Sequence, residues 1–76
     1  MGQTMYKIYE FNRGSCGLRS MTGHRIKIND VVFKIKERHE DLSQTIVYAD
    51  ILKENLNCQL VVVDMNKKKI VYVTGV

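Results

Sequence analysis

Leu60, Val61, Val62 and Val63 form an unbroken apolar run in which three of the four residues are β-branched. A strand that is apolar at every position has no face to turn to water, so the run predicts a central strand covered on both faces. Asp64, Met65, Asn66 and Lys67 follow it as a turn, because Asp and Asn side chains bond their own backbone and tolerate left-handed conformations. The strand then returns over 68–74, which makes a C-terminal hairpin. A chain of 76 residues must build everything else around this hairpin. A domain so short buries only roughly 60% of the surface its unfolded chain exposes.

The segment before the hairpin has helical periodicity. Leu42, Ile46, Ala49, Leu52 and Leu56 recur at intervals of four, three, three and four residues. Asp41, with Gln44 three residues later, has the form of a capping box, and Glu40 and Asp41 suit the positive end of the helix dipole. Asn55 and Asn57 can end the helix. Val47, Tyr48 and Ile51 lie off the main stripe, leaving more apolar surface than one packed face requires.

Residues 5–11 alternate as a strand, with Met5, Lys7, Tyr9 and Phe11 to one side and Tyr6, Ile8 and Glu10 to the other. Gly14 and Gly17 mark a loop, and 18–21 is a second short strand. Residues 24–37 admit two readings. In one, Asn29 and Asp30 are a tight turn between strands. In the other, Asn29 caps a helix that leaves Phe33 in water. The hairpin places every residue sensibly, although Asn-Asp is a weaker turn signal than Asn-Gly. The sum is a single α+β domain over 1–76. It has two layers, with one main helix (about 42–56) on a mostly antiparallel sheet of four to five strands.

Composition narrows the functional classes. An apolar fraction of 45% excludes disorder, and no apolar run approaches the ~20 residues that span a bilayer. Residues 1–4 carry no secretory pattern, and Tyr6 stands where a myristoylation signal needs Ser or Thr. Two cysteines, Cys16 and Cys58, fit a reducing cytoplasm in which both stay thiols, although spacing leaves a bridge between them open. No Walker loop or Rossmann fingerprint occurs. Cys16 with His24 or His39 lacks a local arrangement for nucleophilic work. The same residues with Cys58 lack the close ligand pairs of structural zinc sites. We therefore expect no enzyme, cofactor or metal.

What remains is binding. The first candidate is protein binding, with a docking surface at Tyr48 and Ile51 on the helix flank and at Phe33, or at an exposed sheet edge. The second is nucleic acid. Residues 1–28 hold five basic side chains against one acidic, 29–64 hold four against seven, and 65–76 hold three lysines and no acid. If the two ends of the chain are adjacent strands, Lys7, Arg13, Arg19, Arg25, Lys27, Lys67, Lys68 and Lys69 form one basic surface. Tyr6, Tyr9, Phe11 and Tyr72 would stand beside it for base stacking, unless Phe11 is core. A second copy of the chain is a further candidate partner, and a membrane is not.

Gly23, Ile26, Ile28, Asp30 and Ile35, followed by Cys58, Gln59, Leu60 and a hairpin, resemble the ubiquitin-like DWNN domain of eukaryotic mRNA 3′-end processing factors. Val32 and Phe33 stand where that family has a lysine pair. The resemblance implies a β-grasp fold and an interaction domain as the alternative. The proline-free, Lys-, Ile- and Asn-rich composition is that of an AT-rich genome. Small chains of this kind resemble phage or mobile-element proteins that inhibit a host enzyme by docking on it.

Overall fold

The computed structural model of this protein describes residues 4–11 and 18–74. Strands β1 (Tyr6–Phe11), β2 (Leu18–Ser20), β3 (Arg25–Ile28) and β4 (Val31–Lys34) precede the helix α1 (Leu42–Leu56), and β5 (Leu60–Asp64) and β6 (Lys69–Val73) follow it. Four of the strands make one sheet in the order β2-β1-β5-β6, and β3 and β4 make a separate two-stranded sheet. Every pairing is antiparallel. The expected two-layer α+β architecture is therefore the observed one. The β-grasp alternative is not, since that fold needs a mixed sheet. No described helix is long and apolar enough to cross a membrane.

The core forms where α1 meets the larger sheet and the hairpin. Ile8, Leu60 and Val62 from the sheet pack with Ala49 and Leu52 of α1, with Ile26 of β3, and with Met21 and Ile35. Alternation along β1 and β5 brings Ile8, Val62, Leu60, Tyr6 and Asp64 to this one face. The strand β5 is central, as its apolar run requires, but α1 and the β3–β4 hairpin cover one of its faces, and no described helix packs on the other. Val61, on the opposite face, is 1% exposed, with Tyr9 and Val73 as its cross-strand partners.

The helix begins where its cap residue places it. Asp41 is extended, and its carboxylate accepts the Gln44 N–H at 3.3 Å. Asn57 ends the helix in the left-handed region at φ 53°, donating its N–H to the Lys53 carbonyl at 2.7 Å. The buried stripe is rotated from the expected one. Thr45, Ala49 and Leu52 are buried, Leu42, Tyr48 and Ile51 pack against the core, and Leu56 is 42% exposed. The rotation follows from the β3–β4 hairpin, which covers the Tyr48 flank. Thr45 can be buried there because its hydroxyl donates to the Asp41 carbonyl at 2.6 Å.

Residues 24–37 hold the hairpin and no helix. Asn29 and Asp30 adopt φ of 50° and 64°, the two positive values that a two-residue type I′ turn needs. Ile26 points into the core, whereas Val32, on the other side of the ladder, is 60% exposed. In the second hairpin, Asp64 is buried and its carboxylate accepts the Asn66 and Lys67 N–H groups at 2.9 and 3.1 Å. That turn closes with Lys68 at φ 54°. A lysine pays a steric cost in the left-handed region that glycine avoids. Lys68→Gly is therefore expected to stabilise the fold by about 1 kcal/mol and raise the melting temperature by roughly 4–8 °C. A melting temperature that falls on this substitution would show that the lysine stem is engaged elsewhere.

Candidate docking surface

Strand alternation also decides what the sheet presents on its side away from α1. Lys7, Tyr9 and Phe11 of β1 lie there with Leu18 and Ser20 of β2, Val61 and Val63 of β5, and Ile70 and Val73 of β6. Phe11, Leu18 and Ile70 are 40%, 41% and 46% exposed. Tyr9, Val63 and Val73 are half-buried between them. An antiparallel sheet with one face to water normally makes that face polar. Here the polar members are Lys7 and Ser20. The Lys7 ammonium lies 5.3 Å from the Tyr9 ring centroid and 4.0 Å from a Glu37 carboxylate oxygen, so it is already engaged.

The structure distributes the expected site residues differently from the sequence reading. Tyr48 is half-buried, with its ring 6.1 Å from that of Phe33 and 5.6 Å from that of His39. Ile51 packs against the core. Of the apolar surplus on the helix flank, Tyr48 is thus spent on the hairpin and Ile51 on the core, while Val47 stays 50% exposed. Phe33 is 38% exposed and is a strand residue at the rim of that contact. Phe11 belongs to the open face and is not core.

The basic residues do not gather into one surface. The first and last strands, β1 and β6, are separated by β5, so the chain ends are not adjacent strands. Lys7 sits on the open face. Arg19 lies on the edge strand β2, opposite Glu10. Lys67, Lys68 and Lys69 form the turn and start of β6 at the far edge, three interstrand spacings or roughly 14 Å from β2. Arg25 and Lys27 project from the separate hairpin, opposite Lys34 and Val32. Arg13 and Cys16 lie outside the described residues. Of the four aromatics, Tyr9 and Phe11 share the open face. Tyr6 and Tyr72 lie on the helix side, where the Tyr72 hydroxyl donates to Asp50 at 2.8 Å.

Burial, and then the neighbouring Glu10 carboxylate, push the Cys58 thiol up, away from the reactive thiolate. Among the described residues no three His, Cys, Asp or Glu side chains gather as a metal ion would require. A cavity of about 330 Å³ at the start of α1 is lined by Lys36, Arg38, His39, Glu40, Asp41 and Gln44, in which both signs of charge are mixed.

His39 is 7% exposed, and its Nε2 has no hydrogen-bond partner among the described residues. Burial, and then the Lys36 charge, lower its pKa, against an opposing hydrogen bond to the Lys36 backbone. The unfolded chain therefore takes up this proton first as pH falls. The contribution of His39 to stability is complete above pH of about 6.5 and is lost below it, down to the lowered folded value. We expect the urea midpoint to fall between about pH 7.5 and pH 5.5, and His39→Phe to remove most of that fall. An equal fall in both proteins would assign the effect to other groups.

No family model, curated protein or solved structure matches this chain.

Proposed function

We propose that this chain is a non-enzymatic protein-binding module, an inhibitor or adaptor that docks on a larger protein through the open face of its four-stranded sheet. The observation that carries this reading is the apolar character of a face that no described element covers. Phe11, Leu18 and Ile70 stand out from a floor of Tyr9, Val61, Val63 and Val73. Half-exposed aromatic and aliphatic anchors over a packed floor are what a protein interface uses at its centre.

Charge at the border selects the kind of partner. Lys67, Lys68 and Lys69 lie beyond the end of the face at which Lys7 and Val63 pair, and the chain carries a net charge of +4. A second copy would bring the same lysines to this face, and the Glu37 carboxylate that borders it already lies 4.0 Å from the Lys7 ammonium. The complementary occupant is a different protein, with an apolar patch bordered by acidic side chains. The free thiol of Cys58 fits a reducing, cytoplasmic setting.

The test compares wild type with Phe11→Thr/Ile70→Thr in capture from cell lysate and in sedimentation. The expected result is a monomer whose captured protein is lost with the double substitution and weakened by charge removal at Lys67, Lys68 and Lys69. A captured set that ignores the face substitutions would reject this surface. A dimer that the substitutions dissociate would replace the acidic partner by a second copy.

A further inference from the structure

The β3–β4 hairpin has an outward side that the docking face does not explain. Its turn fixes the ladder: Ile28 pairs with Val31, Lys27 with Val32, Ile26 with Phe33 and Arg25 with Lys34. Beyond the ladder the Ile35 N–H donates to the His24 carbonyl at 2.8 Å. By alternation, Arg25 and Lys34 are then a non-hydrogen-bonded pair, the type in which cross-strand side chains stand closest. Ile26 faces the core, so Arg25, Lys27 and Lys34 all stand on the opposite, outward side.

Two like charges directly opposite one another destabilise a ladder. Among the described residues, neither Arg25 nor Lys34 has a carboxylate within ion-pair distance. Lys27 has one, Asp30 at 3.8 Å, but that side chain is 98% exposed. A pair so open to water and salt neutralises little. The remaining side chain on this side of the ladder is Val32, which is 60% exposed and offers nothing to stack a base. The surface is thus a cluster of three cations placed by the register of one ladder, with a local repulsion that a bound anion would relieve.

We propose that this outward ladder binds the phosphate backbone of a nucleic acid, as a second surface separate from the sheet face. Arg25 and Lys27 are two residues apart on one strand, which is roughly 6.8 Å. A nucleic-acid strand carries one phosphate on every nucleotide, so two cations held this close can engage neighbouring phosphates of one strand. Lys34 lies across the ladder from Arg25 and doubles the charge at that end. Binding of this kind reads charge and not sequence, because no aromatic or amide side chain faces outward beside the cations.

The test is fluorescence anisotropy of a labelled short duplex of mixed sequence, titrated with the full chain at about 50 and about 200 mM salt. With about three phosphate contacts, affinity should fall roughly 40-fold over that range. Arg25→Gln/Lys34→Gln should bind more weakly and lose only about 3-fold, as one remaining contact predicts. The same double variant should melt at a higher temperature than wild type, because the repulsion has gone, and this separates lost binding from lost folding. Substituting Lys67, Lys68 and Lys69 by Gln should leave the salt response unchanged. Absence of saturable binding at low salt would overturn the proposal. So would a salt response that Arg25→Gln/Lys34→Gln leaves intact, or one that disappears with the three turn lysines. Displacement of the duplex by polyglutamate as readily as by unlabelled duplex would assign the ladder to an acidic protein instead.

Discussion

Phe11→Thr with Ile70→Thr is expected to leave the fold standing and to weaken partner binding at least about 30-fold. The two side chains are 40% and 46% exposed, so their removal surrenders only part of a buried side chain's transfer energy. Thr keeps the β-branched shape that a strand favours. The cost to folding is then about 1–2 kcal/mol in total. Binding responds more strongly, because an anchor at the centre of an interface contributes about 2 kcal/mol or more, and that alone is roughly 30-fold in affinity. Urea denaturation beside a titration of the captured partner checks both halves. A loss of affinity that only matches the fraction unfolded would remove the case for a docking face.

The second large effect has the opposite character. Tyr48→Ala with Ile51→Ser is expected to destabilise the fold by about 4 kcal/mol. On the sequence alone these two residues are spare surface, and their loss should spare the fold. In the structure Tyr48 holds the Phe33 and His39 rings against the helix, and Ile51 packs on the core. At roughly 0.05–0.15 kcal/mol per residue, a chain of 76 residues has a total stability of about 4–11 kcal/mol. The double substitution therefore takes away a large share of it, and the denaturation midpoint should collapse. A midpoint that barely moves would mean that the hairpin does not lean on this flank.

The local signals in the sequence were reliable where one residue's own chemistry decides the backbone. Asp41 starts the helix and Asn57 stops it, as their side chains allow. Asn29 and Asp30 turn the chain because both tolerate positive φ. The alternation of Lys7, Tyr9 and Phe11 against Tyr6 and Ile8 was also readable, since it needs only the two-residue period of a strand. The candidate site was much less legible. Periodicity put Leu56 on the buried stripe and left Tyr48 outside it, because a helical wheel cannot know where a neighbouring hairpin will lie. The opposition of Arg25 and Lys34 needs the register of a hairpin that competed, on the sequence alone, with a helix.

Caps, turns and periodicity act over a few neighbouring residues, so the helix, the C-terminal hairpin and the sides of β1 were legible from the residues alone, whereas 24–37 stayed open between a hairpin and a helix. Packing between distant elements set which side of the sheet receives the helix. The same packing turned Tyr48 inward and left Phe11, Leu18 and Ile70 in water. The physical reason is that burial depends on how much surface there is to cover it. One 15-residue helix and one small hairpin can close a single face of a four-stranded sheet, and no local rule says which.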